Sequence, residues 1–127
     1  MTDAAAPPPG SIGWVDLTVA DAEEVREFYR QVVGFDTMAV DMGTHKDWCV
    51  GPAGGDPVAG ICHARGGNAG LAPVWLVYFV VADLDVSLAS CRERGGEVLA
   101  PVRQMGKARY AVVRDPAGAA CALYQAG

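Results

Sequence analysis

The sequence predicts an α+β fold in which two tandem βαβββ modules form a cupped mixed sheet. The first sign is a repeated punctuation. TVADAEEVREFYRQVVGF, Thr18 to Phe35, reads as a strand end, a helix start, an amphipathic helix and a glycine stop; VVADLDVSLASCRERGGE, Val80 to Glu97, repeats that order. The second sign is a fixed offset. Sliding the chain by 62 residues lays Val19-Ala20-Asp21 on Val81-Ala82-Asp83, Gly34 on Gly96, Val40 on Val102, Trp48 on Tyr110, Val50 on Val112 and Ile61 on Leu123, with no gap. The third is the β-rich run before each helix, WVDLTV and WLVYFVV.

Each element has a local cause. Asp21 and Asp83 are natural N-caps, and Glu24 completes a capping-box spacing with Asp21. Ala22, Val25, Phe28, Tyr29, Val32 and Val33 form an apolar stripe at helical spacing, expected to pack on a sheet. Gly34 and Gly95-Gly96 end the helices, because glycine accepts the left-handed C′ conformation. Three strands should follow each helix: around Phe35–Val40, His45–Val50 and Val58–His63, then Val98–Arg103, Arg109–Arg114 and Ala119–Gln125. Asp115-Pro116-Ala117-Gly118 is a tight turn matched by Ala53-Gly54-Gly55-Asp56.

The boundaries expected are a disordered lead-in over 1–11 and one domain over 12–127, with modules 12–63 and 74–125 and a Gly-rich linker over 64–73. A module of this size buries too little surface alone, so two must share a core. A length of 127 residues and a 51% apolar, 20% charged composition fit one globular domain. The net charge of −5, with no basic run, argues against nucleic acid as a partner. No apolar run is long enough to cross a bilayer, and the N-terminus lacks a signal core. Cys49, Cys62, Cys91 and Cys121 form no C-x-x-C pair and read as small buried thiols of a reduced, cytoplasmic protein. Small sheets with open edges point to a homodimer.

Paired βαβββ modules, a V-x-D helix start, Phe28-Tyr29 inside the first helix, Gly34-Phe35 after it and the late D-P-x-G turn together resemble the vicinal oxygen chelate superfamily. This is the group of glyoxalase I, fosfomycin and bleomycin resistance proteins and extradiol dioxygenases. The resemblance covers Ile12 to Gln125. It implies metal ligands seven residues before each helix-capping Asp and on the last strand of each module. Those positions are Trp14, Leu76, Gly60 and Ala122, none with a usable donor atom. No metal and no other cofactor is therefore expected.

Strand alternation sends Val15, Leu17 and Val19, and likewise Val77, Phe79 and Val81, under the helices. Trp14, Asp16, Thr18, Gly60, Cys62, Leu76, Tyr78, Ala122 and Tyr124 are left to line an apolar, aromatic cup for a small molecule. Asp16 reads either as a carboxylate paired with Arg109, Lys107 or a backbone donor, or as an orienting acceptor or base. His45 and His63 read as surface or hydrogen-bonding residues, and Arg103 and Arg109 as solvated residues or anchors for a substrate carboxylate. Three functions stay open. One is metal-free binding of an aromatic or amphipathic molecule. Another is a lyase, isomerase or dioxygenase with an unconventional site, with Asp16, Tyr78 and His45 as catalytic candidates. The last is a structural dimerisation module.

Overall fold

The carboxylate of Asp21 accepts from the Glu24 N–H at 3.1 Å and that of Asp83 from the Val86 N–H at 3.2 Å, so both expected caps start their helices. The computed structural model describes residues 7–66 and 69–127; residues 1–6 of the expected lead-in and residues 67–68 of the expected linker lie outside them. In order, the elements are β1 (Ile12–Val19), α1 (Ala22–Val33), β2 (Asp36–Asp41), β3 (Lys46–Gly51), β4 (Ala59–His63), β5 (Trp75–Val80), α2 (Leu84–Glu93), β6 (Glu97–Val98), β7 (Arg103–Met105), β8 (Ala108–Arg114) and β9 (Ala120–Gln125). The fold is α+β with parallel and antiparallel strand pairs, as predicted.

The chain divides into two compact units: Val15–Trp75, and Leu76–Gly127 together with the residues up to Trp14. In the first unit the strands run in the order β2-β3-β4-β1, with β1 and β4 parallel. The second has β5-β9-β8-β6, with β5 and β9 parallel and β7 also beside β8. Gly10 and Ser11, in the stretch expected to be disordered, are tied to Val80 by backbone hydrogen bonds of 2.8 Å each.

Each unit has its own helix-covered core. Ala22, Val50, Ala59 and Ile61 are buried in the first, with Val15, Val19, Val25, Tyr29 and Trp48 against them. Leu84, Leu88, Ala111 and Val113 are buried in the second, with Val81, Val98, Cys121 and Leu123 around them. Burying a side chain such as Ile61 contributes about 1.5–3 kcal/mol. The α1 stripe is wider than the face that packs. Ala22, Val25 and Tyr29 pack inward, whereas Phe28, Val32 and Val33 are 56%, 65% and 55% exposed. Phe79, expected beneath α2, is likewise exposed.

The repeat holds, but the offset is not gapless. Asp16↔Gly60 on β1 and β4 corresponds to Tyr78↔Ala122 on β5 and β9, an offset of 62 on both strands. The left-handed glycine after α1 is Gly34 (φ 87°), and after α2 it is Gly95 (φ 88°), an offset of 61. Cys49 faces Gly60 while Val112 faces Ala122, so β3 and β8 stand at 63. Trp48 therefore corresponds to Ala111 and Val50 to Val113, which is why those four pack beneath the helices.

One expected strand is broken. Between β6 and β7 the chain moves from Val98↔Val113 to Arg103↔Tyr110, two more residues than β8 uses. Pro101 sits in that excursion, and proline has no N–H to give a ladder.

Candidate functional site

The strand faces turned away from the helices hold the predicted site residues. Partners in a ladder share a face, so the registers can be read as rows. In the first unit one row is Asp16, Gly60, Cys49 and Met38 across β1, β4, β3 and β2. Thr18 faces Cys62 in the next row, where β2 and β3 pair Val40 with Asp47. Asp16 thus stands directly beside Gly60.

Asp47 was not singled out from the sequence, yet it ties this face together. Buried to 9% exposure, its Oδ1 accepts the His63 N–H at 2.9 Å and lies 3.5 Å from His45 Nε2. The His45 ring meets His63 edge-on at 5.4 Å, and its Nδ1 is 3.0 Å from the Thr44 hydroxyl. The Thr44 contact gives His45 a hydrogen-bonding role, and its other nitrogen faces the Asp47 carboxylate. Burial pushes the Cys62 thiol well above the ordinary range; the Asp16 and Asp47 carboxylates, the latter also its hydrogen-bond acceptor, push it further. Cys49 is raised for similar reasons, burial first and Asp16 second. These thiols stay protonated at neutral pH and are poor nucleophiles.

In the second unit the corresponding row is Tyr78, Ala122 and Val112, and the next is Val80, Tyr124, Tyr110 and Arg103. Leu76, Tyr78 and Ala122 are 6%, 8% and 0% exposed, and Trp14 and Tyr124 are half-buried. The Tyr78 and Tyr110 rings lie 5.7 Å apart, tilted by 51°. Arg109 is bound to Asp85 of α2 at 2.9 Å, the partner the sequence did not suggest.

The residues present do not fit the metal that the resemblance implies. Trp14, Gly60, Leu76 and Ala122 offer an indole, a hydrogen and two hydrocarbon side chains. Among the described residues no three His, Cys, Asp or Glu side chains are grouped to hold a metal ion. Beneath α1 lies a contact that the sequence did not reveal: the Arg26 guanidinium sits 4.1 Å from the centre of the Trp48 ring, with Nη1 donating to Thr37 Oγ1 at 3.3 Å.

Against known families, the profile described as Glyoxalase/Bleomycin resistance protein/Dioxygenase superfamily matches residues 11–123. The chain belongs to that superfamily. It is 32% identical over 121 residues to CFP32 of Mycobacterium tuberculosis, which bears a provisional glyoxylase name; the match takes in 92% of this chain and 46% of that protein. It is 30% identical over 132 residues to the anthracycline biosynthesis protein DnrV of Streptomyces peucetius, covering 94% of this chain and 48% of that one. The chain spans about half the length of the curated relatives it matches. Among solved structures it superposes on methylmalonyl-CoA epimerase of Streptomyces coelicolor, in complex with 2-nitronate-propionyl-CoA, with a TM-score of 0.59 at 19% identity, over 94% of this chain and 99% of that one. A hypothetical protein of Bacillus halodurans gives 0.63 at 11% identity, over 92% and 94%. At such identities these structures speak to the fold alone.

Proposed function

We propose that this superfamily member binds a small aromatic or amphipathic molecule on the strand faces away from its helices, without a metal at the family position. The observation that carries the reading is the paired register. Asp16 stands beside Gly60 and Tyr78 beside Ala122, so carboxylate and phenol take the space next to positions where metal-using members carry ligands. A face with aromatic walls and few polar points suits a flat organic ligand. The anthracycline biosynthesis names of two relatives agree with that class.

Elemental analysis of protein purified without chelators tests the first half. Nickel, zinc, iron and manganese should be substoichiometric, and added metal should leave the melting temperature unchanged. One tightly held equivalent, lost in Asp16→Ala, would overturn the reading. A thermal-shift screen of flat aromatic compounds tests the second half, since a bound ligand raises the melting temperature by mass action.

The alternative reading is an enzyme in which Asp16 is the base and Tyr78 the hydrogen-bond donor. The glyoxylase name of CFP32 favours it. Isomerisation or lyase turnover that vanishes in Asp16→Asn while ligand binding survives would establish it. We further propose a homodimer. Exposed Met38 and Val40 on the edge strand β2 and exposed Phe28 and Val32 on α1 support it. A monomeric mass by light scattering would count against it.

A further inference from the structure

The two arginines considered for a substrate carboxylate now part ways. Arg109 is consumed by Asp85, with which it makes contacts of 2.9 and 3.3 Å. The Arg103 side chain forms no hydrogen bond or ion pair among the described residues, although the residue is half-buried. It lies on the strand face opposite α2. Its ladder partner is Tyr110, whose own partner across β9 is Tyr124, and Val102 beside it packs on the α2 side. Neither the Tyr110 nor the Tyr124 hydroxyl is hydrogen-bonded among the described residues.

The described acids of this unit do not claim Arg103. Glu97 holds Arg114 at 2.8 Å, Asp85 holds Arg109, Asp83 caps α2, and Asp115 accepts the Ala117 and Ala119 N–H groups in its turn. Glu93 belongs to α2, on the other side of the strands. A planar five-donor fork and two phenols therefore share one face, with no acceptor supplied by the described residues of the unit itself. A guanidinium recognises a carboxylate through two parallel N–H···O bonds, and phenols complete such an acceptor's remaining lone pairs.

We propose that Arg103, assisted by Tyr110 and Tyr124, is the anchor for a carboxylate carried by the aromatic ligand. This rests on the small-molecule reading above and narrows its ligand to an aromatic carboxylic acid. The ring of such a ligand lies against Tyr110 and Tyr124, and its charge lies toward β7.

The test uses two matched probes, 2-naphthoate and its neutral amide 2-naphthamide, titrated calorimetrically into the full chain. Wild type should prefer the carboxylate by about tenfold, the size of one charge-assisted contact. Arg103→Met should remove the preference by weakening naphthoate alone, and Arg103→Lys should retain part of it. Tyr124→Phe should weaken naphthoate about threefold, as expected for one neutral hydrogen bond. Arg109→Met, on the other face, should leave both affinities as they are. Equal binding of the two probes to wild type, or a preference that survives Arg103→Met, would overturn the carboxylate anchor while leaving the ligand reading intact. Failure of both probes to bind wild type up to their solubility limits would sink both.

Discussion

Set row against row, the two units share a backbone and differ in chemistry. Where the first has Asp16, Gly60 and Cys49, the second has Tyr78, Ala122 and Val112. Where the first has Thr18 facing Cys62, the second has Val80 facing Tyr124, with Tyr110 and Arg103 beyond. One face is small, acidic and thiol-bearing; the other is bulky, aromatic and ends on a cation. Beneath the helices the difference vanishes, because Ala22 and Leu84 are both fully buried at the first helical position, and Val50 and Val113 both sit in the core. Packing fixes the covered side, where both units must exclude water in the same way. The uncovered side is free to diverge, so chemistry can differ on one fold.

The strongest test of that symmetry is truncation in each core. Ile61→Ala and Leu84→Ala, both at 0% exposure, should each cost about 2–5 kcal/mol in urea denaturation. Near-equal losses support equivalent cores; a loss below about 1 kcal/mol at either would break the comparison.

The helix-end glycines should split it. A Cβ on Gly96 would meet Cys91 Sγ at 2.6 Å and the Arg114 carbonyl oxygen at 2.9 Å, so Gly96→Ala should cost about 1–3 kcal/mol through crowding. Gly34 has nothing within 4 Å, and Gly34→Ala should cost about 1 kcal/mol through its φ of 87° alone. Chemical denaturation of the two variants ranks them.

The acidic face should show itself in alkali. The folded state raises the Cys62 thiol above its ordinary value of 9.0, so from there upward the unfolded chain loses a proton that the native chain keeps. With more protons bound in the native state, stability must fall as pH rises above about 9. Cys62→Ala should flatten that slope in melting curves taken across the range. Smallest of all should be Glu27→Gln. The adjacent Arg30, with help from Gln31, holds the Glu27 carboxyl down to about 2, but the pair is exposed, and the melting temperature should not move beyond error.

Much of the fold was legible because helices and half-buried strands write their periods into the residues. Caps at Asp21 and Asp83 and the faces of β1, β4 and β9 follow from spacing alone. The slips at β3 and β8 were hidden because a one-residue loss at the helix end, a two-residue gain between β6 and β7 and a one-residue loss between β8 and β9 cancel by the last strand, and Trp48 over Tyr110 looked like a match of aromatics. Site neighbours were hidden for another reason. Alternation tells which face a residue takes, but the stagger between strands decides that Asp16 meets Gly60. Nothing local couples Arg109 to Asp85, 24 residues away, or gathers His45 and His63 around Asp47. Those pairings exist only once the chain has closed.

The compensating slips matter to anyone who would recombine the two halves. A chimera that replaced β3 with β8 by a uniform shift of 62 would put Tyr110 where Trp48 now faces the core, and would turn Ala111 and Val113 outward. Every side chain on the grafted strand would change sides, since strand faces alternate residue by residue. Crossovers placed within β1 and β5, or within β4 and β9, where both halves keep the same count, carry no such inversion. Exchange of the intervening segment as one block would move each slip together with its correction.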